Sequence, residues 1–109
     1  MSTAERPPVR GAVVDAETRC THYAGPRDVV AMRFFCCDQW YPCLRCHDAA
    51  AGHPIRPWPL RLRDERAVLC GVCGDTMRID DYLSATACPR CAAEFNPGCA
   101  LHHHVYFEL

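Results

Sequence analysis

Apolar residues in this chain fall in short runs, and polar residues, glycine or proline close almost every one. The best strand signal is Asp28-Val-Val-Ala-Met-Arg-Phe-Phe35, rich in β-branched and aromatic residues. Asp38 and Gln39 then turn the chain back into Trp40-Tyr41, which predicts a hairpin ending at Cys43. Ala49 to Gly52 reads as a short helical link. From Pro54 to Arg66 the sequence is PIRPWPLRLRDER, with three prolines in six residues, which argues against regular structure and predicts a crossing segment. Ala67-Val68-Leu69 predicts a short strand, and Asp80 or Asp81 predicts the cap of a brief helix through Ser84. Ala92 to Phe95 reads as one helical turn, Asn96-Pro97-Gly98 as a turn, and Val105-Tyr106-Phe107 as a final strand. Residues 1–12 are polar and carry prolines, which predicts a flexible tail. The remainder, 13–109, reads as a single domain, with the crossing segment 54–66 separating an upstream half, 13–53, from a downstream half, 67–109.

Runs this short build a small core. In a chain of 109 residues that counts ten cysteines among its hydrophobic residues, such a core needs staples. Trp40 and Trp58 belong to the core sooner than to a contact surface. The residues Met1 to Arg10 lack an apolar h-region and a small-residue cleavage site, so no secretory signal is read there. No apolar run approaches eighteen residues, which speaks against a membrane span. The expected compartment is therefore a reducing cytoplasm, where paired cysteines hold metals and disulfides are rare.

The cysteine spacing gives the staples their chemistry. Cys70-Gly-Val-Cys73 and Cys88-Pro-Arg-Cys91 are two CxxC pairs separated by fourteen residues, close to the spacing of a four-cysteine zinc site. Glycine at 71 and 74 and proline at 89 suit the turns that aim two thiolates at one point. Upstream stand eight further candidate ligands, Cys20, His22, Cys36, Cys37, Cys43, Cys46, His47 and His53. Cys20 and His22 alternate, so in an extended strand both face one side. Cys36 and Cys37 are adjacent, as are Cys46 and His47, which suggests two interleaved, interdependent sites. One arrangement groups Cys20, His22, Cys43 and Cys46 against Cys36, Cys37, His47 and His53; exchanging one of the adjacent cysteines is equally consistent. Soft thiolates select a tetrahedral ion, and although a rubredoxin-type iron site has similar ligands, the histidines favour zinc. The fold class that follows is a small zinc-stabilised domain, an irregular α+β arrangement of short strands, hairpins and zinc knuckles around about three zinc ions.

These residues resemble a known family. Cys20-Thr-His22-Tyr23, Cys36-Cys37, Tyr41, Cys43-x-x-Cys46-His47-Asp48, His53 and the two later CxxC pairs are similar, over about residues 18–95, to the CHY-type zinc finger. The resemblance implies three zinc ions held by Cys20, His22, Cys36, Cys37, Cys43, Cys46, His47, His53, Cys70, Cys73, Cys88 and Cys91. One branch of the family joins this domain to a RING in ubiquitin ligases; no RING is read in these residues, so that activity does not carry over. The stand-alone branch includes a fungal helper of small Tim proteins, thought to assist a thiol oxidoreductase by removing zinc. Thr18-Arg19-Cys20 and Phe95-Asn96-Pro97-Gly98-Cys99 are closer to this branch.

Charge and motifs narrow the function. Twelve basic residues, all arginine, stand against thirteen acidic ones, with no basic stripe of the kind that nucleic-acid binding requires. The arginines at 61, 63 and 66 read as a solvated face mixed with Asp64 and Glu65. Pro42-Cys43-Leu-Arg-Cys46 matches half of a zinc deaminase signature, but Ala24 stands where the glutamate of His-x-Glu is required. No HExxH and no phosphate-binding glycine loop is present. The expected function is a non-enzymatic, protein-binding zinc module, with a zinc-linked thiol protein as the alternative. Cys99 and His102-His103-His104 lie outside the twelve ligands. Cys99 is accordingly expected to be the first cysteine alkylated in the zinc-loaded protein, with Cys99→Ser keeping three zinc ions; metal loss on that substitution, read by native mass spectrometry, would make it a ligand instead.

Overall fold

The computed structural model describes residues 7–96 and 103–108. At its centre is a four-stranded antiparallel sheet in the order β2-β1-β3-β4. The strands are β1 (Val30–Arg33), β2 (Trp40–Tyr41), β3 (Val68–Cys70) and β4 (Thr76–Met77). Among the described residues there are also three short helices, α1 (Leu44–Ala50), α2 (Ile79–Leu83) and α3 (His103–Tyr106), and one 3-10 turn at Leu60–Leu62. This is the small α+β domain of short strands that the pattern of apolar runs predicts.

The two central strands are buried along most of their length, and their registers set the rest. Met32 pairs with Tyr41 on one side of β1 and with Val68 on the other, while Val30 pairs with Cys70. The β1–β2 loop is closed by the Phe34 N–H donating to the Gln39 carbonyl at 2.9 Å and the Asp38 N–H donating to the Phe34 carbonyl at 2.8 Å. Asp38 takes a positive φ of 57° in this turn, a conformation that Asp tolerates better than most residues. Cys36 and Cys37 therefore sit at a hairpin tip. The β3–β4 connection repeats the device. Gly74, at φ 80°, donates to the Cys70 carbonyl at 2.8 Å, and the turn carries Cys70 and Cys73.

The chief core cluster includes Phe34, Tyr41, Trp58, Tyr106 and Phe107, so the sheet, the crossing segment and the C-terminal residues pack together. Both tryptophans are buried, as expected. The Trp58 indole N–H donates to the Arg33 carbonyl at 2.7 Å, which satisfies the one polar atom of that side chain. The Trp58 backbone N–H donates to the Tyr106 carbonyl, and the Glu108 N–H to the Trp58 carbonyl, so the crossing segment and the C-terminal residues hold one another.

Several elements differ from the sequence reading. Helix α1 begins at Leu44, earlier than the expected link at 49–52, because Cys43 caps it: its sulfur accepts the Cys46 N–H at 3.3 Å. Cysteine is not a habitual cap, so the cue is weak in sequence. Helix α2 has Arg78 at its N-cap, with Asp80 and Asp81 in the first turn, where carboxylates suit the helix dipole. The expected helical turn at 92–95 is instead the returning arm of a hairpin, bridged at Ala87 and Glu94, with Ala92 at φ 63°. The expected strand at 105–107 is helical through Tyr106, and only Phe107 forms a bridge, parallel to Trp58. Strand β4 was not anticipated. Part of the expected tail is ordered: Val9 bridges Trp40 and the Arg10 N–H donates to the Trp40 carbonyl at 2.8 Å. Pro97 and Gly98 of the expected turn, with Cys99 and His102, lie outside the described residues.

One close approach ties the N-terminal loop to the downstream hairpin. A Cβ on Gly71 would stand 2.1 Å from the Glu17 carbonyl oxygen and 2.8 Å from Thr18 Oγ1. Gly71→Ala is expected to destabilise by about 1–3 kcal/mol through overpacking against that backbone. A lowered midpoint in chemical denaturation checks this; an unchanged midpoint would show that the two loops part freely.

Candidate metal centres

The structure brings the twelve sequence-predicted residues into three groups of four. Cys20, His22, Cys43 and Cys46 form the first, Cys36, Cys37, His47 and His53 the second, and Cys70, Cys73, Cys88 and Cys91 the third. Within each group the four donor atoms all lie within 4.8 Å of one another. The upstream partition is the one that leaves Cys36 and Cys37 together, and the alternative exchange is not adopted.

Local chain geometry explains each placement. Cys20 and His22 do not lie on an extended strand as expected. They occupy a tight turn in which the backbone N–H groups of Cys20 and Tyr23 each donate to the other's carbonyl, at 3.1 and 3.2 Å. Arg19 holds that loop: its guanidinium donates to the carboxylates of Asp15 and Glu17 and to the carbonyls of Gly25 and Pro26. Helix α1 presents Cys46 to the first group and His47 to the second, since neighbouring helical residues point about 100° apart. The third group joins the β3–β4 turn to the 88–91 turn. In the latter the Ala92 N–H donates to the Cys88 carbonyl at 2.9 Å and the Arg90 N–H to the Cys88 sulfur at 3.4 Å.

The separations fit one tetrahedral ion per group. Zinc–sulfur bonds of about 2.3 Å and zinc–nitrogen bonds of about 2.0–2.1 Å put sulfur–sulfur edges near ~3.8 Å, sulfur–nitrogen edges near ~3.6 Å and nitrogen–nitrogen edges near ~3.3 Å. In the first group Cys20 and Cys43 sulfurs are 3.6 Å apart, and His22 Nδ1 lies 3.4–3.9 Å from the three sulfurs. In the second, the Cys36 and Cys37 sulfurs are 4.0 Å apart, Cys36 lies 3.2 and 3.3 Å from the Nε2 atoms of His47 and His53, and those two nitrogens are 3.2 Å apart. In the third, Cys70–Cys91 and Cys73–Cys88 measure 3.7 and 3.8 Å. A disulfide would need about 2.05 Å, and none of the nine described cysteines is in a disulfide.

The electrostatics point the same way. Burial pushes the thiols of Cys37, Cys43, Cys46, Cys70 and Cys73 above the ordinary cysteine value, Cys70 to about 12. Cys88 goes the other way. Burial acts to raise it, but backbone N–H groups of Cys91 and Arg90 and the neighbouring thiols together hold it below that value. Thiols this buried and this crowded ionise with a cation among them, which is why zinc uptake displaces protons. Sequence reading did not assign a role to Asp48. Its carboxylate lies 3.4 Å from His47 Nδ1, orienting the ring so that Nε2 faces the second group. Phe34 stacks on the same buried imidazole at 4.5 Å. Nor did it find Gly11, where a Cβ would stand 2.7 Å from the Cys46 Cβ.

Three four-donor Cys/His groups strung on a thin sheet define a multinuclear zinc-stabilised domain, with about three zinc ions to the chain. The profile of the CHY zinc finger matches residues 20–99, and the chain belongs to that family. Similar proteins include Helper of Tim protein 13 of Saccharomyces cerevisiae, 43% identical over 105 residues that cover 92% of this chain and 90% of that protein. Helper of Tim protein 13 of Kluyveromyces lactis is 40% identical over 103 residues, 94% of this chain and 90% of its own length. An uncharacterised protein of Schizosaccharomyces pombe is 41% identical over 100 residues, 92% of this chain and 88% of its own. Both resemblances, to the family and to its stand-alone branch, are thereby supported.

Because α1 serves both upstream groups, their ions are expected to depend on one another. Cys46→Ala should leave close to one bound zinc, the downstream one, in native mass spectrometry. A variant that keeps two ions would show that the upstream groups load separately.

Proposed function

We propose that the chain is a zinc-built protein-interaction module and not an enzyme. The observation that carries this reading is the completeness of the three groups: each offers four protein donors, which fill a tetrahedral ion and leave no position for a reacting water. The ordered surface is then the product of metal binding, and a protein partner is its natural use. The relatives named as helpers of Tim protein support a protein partner in kind. Neither a nucleic acid nor a membrane belongs to this proposal: the charge is near zero, and among the described residues no helix is long and apolar enough to cross a bilayer. Cytoplasmic placement is part of the proposal and rests on the grouping of the cysteines into metal sites, the use of paired cysteines expected in a reducing compartment.

A second reading, a zinc-linked thiol protein that donates, accepts or senses zinc, is favoured by one observation. Cys91 is the exposed cysteine among the nine described, and it belongs to a metal group.

Affinity capture tests the first reading. The zinc-loaded chain should recover a reproducible protein partner, and the Cys73→Ser bait, with its downstream group broken, should lose it. A fully loaded bait that retains nothing above background would defeat the module.

A further inference from the structure

Each of the three groups has one exposed donor, and its chemistry differs between them. In the first group the exposed donor is His22, and the sulfurs belong to Cys20, Cys43 and Cys46, all buried. In the second it is His53, with Cys36 and Cys37 half-buried beside a fully buried His47. In the third it is a thiol, Cys91. The most exposed donor is therefore a histidine at two groups and a cysteine at one. Sulfur is the atom that thiol chemistry attacks, and access decides which sulfur reacts.

We propose that the four-cysteine group is a peroxide-sensitive zinc-release site entered at Cys91, an inference that deepens the zinc-linked thiol reading and rests on it. The surroundings suit that entry. Arg90 precedes Cys91 in a turn open to solvent, its side chain 69% exposed and its guanidinium 3.8 Å from Asp75. Arg66 approaches the same carboxylate at 3.9 Å.

A resolving thiol stands within reach. The Cys70 sulfur is 3.7 Å from that of Cys91, at the end of β3 where the knuckle turn begins. The Cys91 sulfur attacks one oxygen of hydrogen peroxide; the O–O bond breaks, a sulfenic acid forms and hydroxide leaves. The Cys70 thiolate then attacks the Cys91 sulfur; the S–S bond forms, the S–O bond breaks and a second hydroxide leaves. Two thiolates lose two electrons between them, the peroxide gains both, and solvent protons neutralise the hydroxides. Cys73 and Cys88 remain, half the donor set that tetrahedral zinc requires. The upstream cysteines are buried or half-buried, and these groups keep their ions.

The test uses the full chain carrying Cys99→Ser, loaded with zinc and titrated with hydrogen peroxide. Metal count is followed by native mass spectrometry and cysteine state by peptide mapping. One zinc of three should leave, with Cys91 and Cys70 joined and the upstream cysteines unmodified. Cys91→His supplies the donor type that is exposed in the other groups; it should load three ions and withstand peroxide at least ~10-fold longer. Should it fail to load, mapping of the parent protein still decides. Loss from an upstream group first, a disulfide that lacks Cys91, or a loaded Cys91→His releasing zinc as fast as its parent would each overturn the assignment while leaving the zinc-linked thiol reading in place. Retention of all three ions at a dose that oxidises glutathione would sink both.

Discussion

The structure depends on what Cys43 does at the start of α1. Its sulfur accepts the Cys46 N–H and thereby caps the helix, and the same sulfur stands with Cys20, Cys46 and His22 in a metal group. An N-cap and a zinc ligand want the same thing of a side chain, a negative atom in front of free N–H groups. Metal binding and helix formation are thus one event at this residue. The Leu44 N–H, another donor that the helix leaves free, is taken by the Tyr106 hydroxyl at 3.0 Å, which binds the C-terminal helix into the same corner. Through His47 the helix also reaches the second group, so seven residues couple two ions to each other and to the end of the chain.

The regular elements could not persist without those ions. Strands of two residues, such as β2 and β4, and helices of seven residues or fewer are far below the lengths that are stable by themselves. A structural zinc site supplies about 10–16 kcal/mol of apparent binding energy. The whole net stability of a domain is about 5–15 kcal/mol. The sheet, the buried tryptophans and the arginine-pinned loop decide where the thiolates meet; the metal decides whether the arrangement is populated. Surface ion pairs such as Arg78 with Asp64 and Asp81 add little to this balance, since their members are largely exposed.

The ligands were legible in the sequence because metal chemistry tolerates few side chains. Sulfur and imidazole donors at close spacing can complete a tetrahedron, and the structure gathers all twelve residues into groups of four, although the spacing left the upstream grouping open. Strands β1 and β3 were legible because their apolar runs are uninterrupted. What the pattern hid was structure whose cause lies elsewhere in the chain. Helix α1 is nucleated by a sulfur that belongs to a metal group, and no capping residue announces it. Val105-Tyr106-Phe107 has β-favouring composition but folds as helix and bridge, since Trp58 and the α1 corner set its path. The turn at Cys20 to Tyr23 is imposed by the Arg19 bonds and by convergence on Cys43 and Cys46. Three- and four-residue elements have too little pattern to outweigh such tertiary demands.

The two halves of the molecule also hold their ions differently. The upstream groups are built into the core: their sulfurs and His47 pack among Phe34, Tyr41 and Tyr106, and one helix serves both. The downstream group joins two turns, one at the edge of β3 and one in the hairpin bridged at Ala87 and Glu94, with Cys91 on the open side. Loss of the upstream ions would remove the support of the sheet's β1–β2 side and of the crossing segment together. Loss of the downstream ion would release the 88–91 turn, while the β1–β3 pairing, from Val30 with Cys70 to Met32 with Val68, runs through the side of the sheet that the upstream groups support. The chain thus separates a metal-dependent scaffold from a metal group at its margin.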